Sequence, residues 1–192
     1  SRMWTRMYQI IGRCNEIIAA GEEMEQTPTL KETIAEAKAF RAQSYFLLFR
    51  TYDRIWLNTT PVTPENVNDS REYRPATQKE VFELLYSDLN YAIENLDWIS
   101  SMPGRFNQAA ARAILAKVAL WNKDWKTALE QAEKIDQSGY YSLMPSPKAV
   151  FEGSDLNHSE ALLVQQWSEN PGGNLDLKTP KGHQFSTLFI SM

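Results

Sequence analysis

The chain has 192 residues, of which 43% are hydrophobic and 23% are charged, a composition that allows one domain with a sizeable core and argues against disorder. Its formal net charge is −4 and no basic run exceeds two residues, so nucleic acid and anionic membranes are poor candidates as partners. The single cysteine, Cys14, excludes an internal disulfide and a cysteine metal cluster, and we expect it to be a buried apolar residue.

The first predicted element already runs at the start of the chain. Trp4, Tyr8, Ile11 and Ile18 recur at helical spacing, and Gly21 is expected to end this helix. The opening residues lack the apolar stretch of a signal peptide, and no segment approaches the ~18 apolar residues that cross a membrane. Because the helical face already runs at Trp4 and Tyr8, we expect a trimmed chain or an internal piece of a longer protein.

A second, longer helix is predicted to begin with a capping box, T-L-K-E, at Thr29 to Glu32. Its periodicity predicts a buried face formed by Ile34, Ala37, Phe40, Tyr45, Leu48, Tyr52 and Ile55. Residues 57–76 follow with three prolines and no apolar periodicity, and a loop of this length is typically functional or disordered.

Three more helices are predicted after this loop. A capping box at Thr77 to Glu80 opens the third, the fourth spans about Asn107 to Trp121, and the fifth spans Trp125 to Gln137, where Ser138-Gly139 closes it. The remainder is predicted to be extended and rich in loops, with one strand at Ala161–Trp167.

The fourth and fifth predicted helices are rich in small residues and fit a tetratricopeptide-type helix pair. Small residues at a helix crossing let two backbones approach closely, so Ala116 and Ala128 are expected to face each other. Trp121 and Trp125 are expected in the core of the pair. Such a pair must stack on others to bury its outer face, and the alternative is an irregular bundle with a chance excess of alanine.

Seven motifs occur in an order that resembles one known family. They are W-x-x-M-Y-x-x-I-x-R-C-N at 4–15, E-A-x-A-F-R-A-x-x-Y-F-x-L at 36–48, D-L with Ala92 and Leu96 at 88–96, G-R-F-N-x-x-A-A at 104–111, D-W-x-x-A at 124–128, S-G-Y-Y-x-L at 138–143 and S-E-A-L-L-V-Q-Q at 159–166. Together they resemble the SusD/RagB-type nutrient-binding lipoproteins of Gram-negative outer membranes. The stretch from Tyr52 to Pro61 departs from the family pattern, because it is longer and lacks a glycine.

The resemblance implies a mainly α fold, a tetratricopeptide-like stack of antiparallel helix pairs with long loops and little strand. It implies one truncated helical domain over residues 1–192, with helices at about 3–138 and an extended region at 139–192. It further implies a surface protein of the outer membrane that captures an oligosaccharide for a SusC-like TonB-dependent transporter. Such a protein is held to the membrane by a lipid anchor that lies outside this chain.

No catalytic motif, phosphate loop or metal-binding pattern occurs in the sequence, so we expect a non-catalytic binding protein without cofactor or metal. The alternative is a tetratricopeptide-type scaffold that binds a protein or peptide. The position of exposed aromatic residues discriminates the two. A peptide scaffold displays them on the first helix of each pair, whereas a glycan binder displays them on loops.

Four residues of the long loop and its edge are the candidate ligand-binding residues: Trp56, Asn58, Arg71 and Tyr73. An aromatic ring beside amide and guanidinium donors stacks on a sugar and bonds its hydroxyl groups. Two charged residues, Arg41 and Asp88, lie amid apolar helix faces, and a half-buried charge needs a partner. We expect these two to pair between helices, or else Arg41 to extend its head into water.

Overall fold

The computed structural model describes residues 2–67, 74–152, 155, 157–164 and 190–191. These residues form six helices and two short strands. In chain order they are α1 (Arg2–Glu22), α2 (Pro28–Thr51), α3 (Gln78–Asn95), α4 (Gln108–Trp121), α5 (Trp125–Asp136), α6 (Pro147–Phe151), β1 (Ala161–Leu163) and β2 (Ile190–Ser191).

The first five helices form the predicted tetratricopeptide-like stack of antiparallel helix pairs. Each helix packs against the next one in the chain, and α2 also contacts α4. Alanines fill the closest crossings, and those with no exposed surface are Ala35, Ala39, Ala42, Ala92, Ala109, Ala110, Ala111 and Ala119. Because an alanine side chain ends at Cβ, neighbouring backbones lie close together around them.

Local sequence accounts for where α2 and α3 begin. The α3 capping box is present as predicted: the Thr77 hydroxyl accepts from the Glu80 N–H, and the Glu80 carboxylate accepts from the Thr77 N–H. The box predicted at Thr29 is wrong. Thr27 caps α2 instead, because Pro28 favours the first helical position and needs no partner for a missing N–H.

Gly21 does not stop α1 but lies inside its last turn, where it is buried. A Cβ atom at this position would lie 2.8 Å from Cγ1 and 2.9 Å from Cδ1 of Ile34 on α2. The glycine therefore allows α1 and α2 to approach. Cys14 lies on the same helix and is buried as predicted, and burial raises the pKa of its thiol to about 11.

The turn between α4 and α5 spans residues 122–124, as predicted, with Asp124 as the N-cap of α5. Ala128 is buried and Ala116 is half-buried. The expectation that Trp121 and Trp125 lie in the core of the pair is wrong, since they are 52% and 64% exposed. The close crossing is filled by alanines, which leaves no space for an indole, and the rings lie outside it.

Phe40 was also predicted on the buried face of α2, but it is 42% exposed. Its ring packs edge-on against the ring of Phe106, 4.6 Å away between centroids, at the margin of the core. Tyr52 caps the C-terminus of α2 rather than continuing it, and Ile55 is buried beyond the helix end.

The segment after α5 holds little regular structure in the described residues. Strand β1 pairs antiparallel with β2, and β1 is shorter than the predicted strand, whose far end at Trp167 lies outside the described residues. The Asn107 side chain donates to the Leu162 carbonyl at 2.8 Å, which ties β1 to α4. The short helix α6, which Ser146 caps, was not predicted from the sequence. None of the described helices has the length and hydropathy needed to span a bilayer.

Candidate functional site

Four aromatic side chains lie together where α1 begins and α2 ends, and we call Trp4, Tyr8, Tyr52 and Trp56 the α1–α2 aromatic cluster. The centroid of the Trp4 ring lies 4.9 Å from that of Tyr8, 4.8 Å from that of Tyr52 and 5.8 Å from that of Trp56. Trp56 meets Trp4 edge-on at 86° and stays 36% exposed. The cluster therefore presents a partly open aromatic surface on a packed base.

Two tyrosine hydroxyls fix the backbone of the extended segment that carries Trp56. Tyr8 Oη donates to the Trp56 carbonyl at 3.0 Å and accepts from the Trp56 N–H at 2.9 Å. Tyr45 Oη holds Asn58 in the same way, with both distances 2.8 Å. The two residues lie two positions apart, so their backbone groups face the helices on the same side of the segment.

A buried polar network connects three helices to this segment. Arg41 on α2 donates from Nε and Nη2 to the two carboxylate oxygens of Asp88 on α3, both at 2.8 Å, and from Nη1 to Asn15 Oδ1 on α1 at 2.9 Å. The Asn15 amide in turn donates to the Asn58 carbonyl at 2.9 Å. The expected pairing of Arg41 with Asp88 is therefore confirmed, and the network continues into the loop.

Both tyrosine hydroxyls are protonated at neutral pH, and burial moves the pKa of each further above it. Desolvation raises the pKa of Tyr8 and that of Tyr45, and the backbone hydrogen bonds offset this only in part. Desolvation opposes the charge of Arg41, but the hydrogen bonds and charge of Asp88 outweigh it, so the pKa of Arg41 is raised. The segment is thus held by the neutral hydroxyls of Tyr8 and Tyr45 and, through Asn15, by the ion pair of Arg41 with Asp88.

The predicted site residues differ in what the structure says of them. Trp56 is exposed at the cluster, as a ligand contact requires. The Asn58 side chain is engaged locally, because its Oδ1 accepts from the N–H and hydroxyl of Thr60, both at 3.1 Å. Arg71 and Tyr73 lie outside the described residues, so the arrangement of all four residues as a ligand site stays a prediction.

The sequence analysis did not assign Trp4, Tyr8 and Tyr52 to a site. Trp4 and Tyr8 are spaced by one helical turn, and Tyr52 follows the last buried turn of α2. That spacing predicts a helix face equally well, and only the return of the chain after α2 brings Trp56 onto it. The sequence did offer one indication of the cluster: aromatic residues lie at the start of the first predicted helix and after the end of the second.

A shallow groove of about 540 Å³ lies at the start of α3 and beside the α4–α5 turn. Its lining contains aromatic rings, amides and charged groups: Gln78, Lys79, Phe82, Glu83, Tyr86, Asn122 and Asp124. Tyr86 Oη donates to Asp124 Oδ2 at 3.0 Å. Within the described part of the chain, no three histidine, cysteine or carboxylate side chains group closely enough to hold a metal ion.

Comparison with known proteins gives consistent matches along most of the chain. A SusD-like family model, described as starch-binding and associating with the outer membrane, matches residues 1–120. A SusD-like protein of Bacteroides ovatus is 31% identical in an alignment 183 residues long, which covers 87% of this chain and 33% of that protein. The chain thus spans about a third of the length of this relative.

Two solved structures agree in fold and share more than a quarter of aligned residues. One, a crystal structure with a xylogluco-oligosaccharide, has a TM-score of 0.73 and 28% identity, covering 86% of this chain and 35% of that one. The other is a laminarin-binding SusD-like protein, with a TM-score of 0.73 and 27% identity, covering 84% of this chain and 36% of that one.

Proposed function

Because this chain belongs to the SusD-like family, we propose that the complete protein captures oligosaccharides at the surface of the bacterial outer membrane. It passes them to a SusC-like TonB-dependent transporter without catalysing a reaction, and a lipid anchor holds it to the membrane. The family match supports the surface location, and the two solved relatives, one with a xylogluco-oligosaccharide and one laminarin-binding, support a glycan as ligand.

The observation that carries the proposal is the α1–α2 aromatic cluster. Trp56 is partly exposed, yet its backbone is bonded to Tyr8 and its ring rests against Trp4. An aromatic face held in this way stacks on a pyranose ring with little loss of side-chain entropy. The loop that continues from Trp56 carries the amide and guanidinium groups that bond sugar hydroxyls, among them Arg71.

Titration calorimetry of the complete protein with xylogluco-oligosaccharides and laminarin oligosaccharides tests the proposal. We expect Trp56→Ala to lower the affinity for the bound glycan by about tenfold or more, equal to about 1.4 kcal/mol. Trp125→Ala is the matched control, because it removes an exposed indole on α5 that is away from the cluster. Circular dichroism establishes that each variant retains its helices.

Equal affinities of the wild-type protein and Trp56→Ala would contradict a role for the cluster. Failure of the complete protein to bind any glycan of a broad array would contradict the function itself. Isolation of the tagged protein from outer membranes tests the transporter, and the proposal expects a TonB-dependent transporter to co-purify in stoichiometric amount.

A peptide-binding scaffold is the second candidate, and one observation favours it. Trp121 lies on the first helix of the α4–α5 pair and is 52% exposed, where a tetratricopeptide-type scaffold displays its contacts. Binding of the wild-type protein to peptides of its transporter, together with no binding to any glycan, would support this second candidate.

A further inference from the structure

Two positive charges and an exposed indole lie together where α2 and α4 contact each other. The Arg50 guanidinium lies 4.8 Å from the centroid of the Phe46 ring, and the centroid of the Trp121 ring lies 6.3 Å from the same Phe46 centroid. Lys117 precedes Trp121 by one turn of α4. We call Phe46, Arg50, Lys117 and Trp121 the α2–α4 cationic cluster.

The positive charges of this cluster lack a carboxylate partner among the described residues. In the part of the chain that the structure describes, neither Arg50 nor Lys117 forms an ion pair, whereas Arg41, Arg74 and Arg105 each pair with a carboxylate. Lys117 is exposed, yet desolvation lowers the pKa of its ammonium group and the charge of Arg50 lowers it further. Arg50 lies over the Phe46 ring, and Lys117 lies one turn before Trp121, whose ring packs on the same phenylalanine. Two like charges therefore flank one apolar base, an arrangement that an anion stabilises.

The exposed indole restricts what kind of anion fits. Trp121 meets Phe46 at 87° and Phe49 at 79°, with centroids 6.3 Å and 6.4 Å away, and both phenylalanines belong to α2. The ring is therefore supported from one side while half of its surface stays in solvent. A flat ring supported in this way is suited to stacking against the face of a pyranose.

We propose that the α2–α4 cationic cluster binds a uronic acid residue of an acidic oligosaccharide. The pyranose ring stacks on Trp121, and its carboxylate is held between the Arg50 guanidinium and the Lys117 ammonium group. This proposal rests on the proposed function, because it names a class of glycan that the protein captures at a second position on its surface.

The cluster suits an acidic sugar better than an acidic peptide. A bound peptide needs partners for its own backbone N–H and carbonyl groups, and such partners are normally amides and hydroxyls. None of the four side chains of the cluster carries either group. A uronic acid at an exposed surface places one ring face on the indole and its carboxylate between the cations, and its hydroxyl groups stay in water, so it needs only what the cluster offers.

The test compares one oligosaccharide in two forms, an oligogalacturonide and the same oligogalacturonide after its carboxyl groups are reduced to hydroxymethyl groups. We expect the complete protein to bind the acidic form at least about tenfold more tightly at low salt, as the loss of a charge-assisted contact implies. Arg50→Gln and Lys117→Gln should each remove most of this preference. Trp121→Ala should weaken binding of the acidic form.

Two exposed residues outside the cluster serve as matched controls, one on α2 and one at the start of α5. Lys31→Gln removes one exposed positive charge from α2 about 28 Å from Arg50 and should leave the preference unchanged. Trp125→Ala removes the neighbouring exposed indole and should also leave it unchanged. Because all of these side chains are exposed, the helical content should stay that of the wild-type protein.

Each outcome decides the proposal. Equal affinity for the two forms overturns the proposal, and so does a preference for the acidic form that survives both Arg50→Gln and Lys117→Gln. In either case, binding of neutral glycans at Trp56 leaves the proposed function intact. Binding of polyglutamate, but not of the oligogalacturonide, through Arg50 and Lys117 assigns the cluster to an acidic peptide and overturns it as well. Absence of all glycan binding overturns the proposed function along with it.

Discussion

A buried guanidinium destabilises a fold unless its charge and its donors are matched, and at Arg41 three nitrogens find acceptors. The acceptors come from two other helices, Asp88 on α3 and Asn15 on α1. The Asn15 amide also donates to the Asn58 carbonyl, which connects the network to the loop. One side chain therefore fixes the relative positions of three helices and of the segment beside Trp56.

Loss of the Asp88 carboxylate should be strongly destabilising. Asp88→Ala leaves the Arg41 charge buried without its partner, and we expect the free energy of unfolding to fall by about 3–5 kcal/mol in urea denaturation. Arg41→Met should also destabilise, and the double variant should lose less than the sum of the two. A coupling energy near zero in this cycle would contradict the network, and Glu83→Ala, which breaks only an exposed pair with Lys79, is the control.

Two glycines of α1 should respond in opposite ways to the same substitution. Gly21→Ala places a methyl group 2.8 Å from Ile34 Cγ1, and since Ile34 is 1% exposed it has little space to move. We expect a loss of about 1–3 kcal/mol of stability from overpacking. Gly12→Ala meets no atom within 4 Å and should stabilise by about 0.5–1 kcal/mol through helix propensity. Thermal unfolding of both variants checks the pair, and a stabilised Gly21→Ala would refute the close approach.

At the scale of elements, sequence patterns predicted helices well and their ends and outer faces less well. The α3 capping box was predicted because both of its side chains lie at fixed spacing, whereas at α2 the same pattern occurs at Thr29 and Pro28 moves the cap to Thr27. Helical periodicity identifies the apolar face of a helix, but it does not indicate which residues of that face a neighbouring helix buries. Trp121 is the example, since it follows the apolar periodicity of α4 and is nonetheless 52% exposed.

The small residues of the α4–α5 pair give a prediction at this scale. Ala128→Leu inserts a larger side chain at a position that is 6% exposed, and we expect a loss of about 1–3 kcal/mol of stability. Ala132→Leu is the matched control one turn later, where the residue is exposed, and it should change stability by less than about 0.5 kcal/mol. Equal effects in urea unfolding would show that close helix approach does not set the choice of alanine at 128.

For the molecule as a whole, the fold class was predictable because ordered motifs and small-residue spacing both indicated stacked helix pairs. The candidate site was not predictable, because its parts come from α1, from α2 and from the loop after α2. No local sequence pattern indicates that the chain returns over Trp4 after α2. The assignment of residues 1–192 to one domain divided near residue 138 stays a prediction. The described helices nonetheless explain why Trp56 lies where it does.

Two tyrosine hydroxyls connect the helices to the proposed capture of a ligand, because they hold the backbone of the segment that carries Trp56. Tyr45→Phe removes the hydroxyl that bonds both backbone groups of Asn58, and Tyr8→Phe does the same for Trp56. In Tyr8→Phe, the Trp56 N–H and carbonyl both lose this partner. In Tyr45→Phe, the Asn58 N–H loses its partner, whereas the Asn58 carbonyl keeps the Asn15 amide. We expect a loss of about 1–3 kcal/mol and faster amide hydrogen exchange at the residue concerned.

Glycan affinity should fall in Tyr8→Phe although the aromatic ring and Trp56 itself remain, because the indole is no longer held in place before the ligand arrives. Tyr140→Phe is the control, since it removes the hydroxyl of an exposed tyrosine outside the cluster. If Tyr8→Phe accelerates exchange at Trp56 but leaves glycan affinity unchanged, the fixed backbone serves the fold alone. A joint change in exchange and affinity means that the stacked helices place Trp56 in position before the sugar binds.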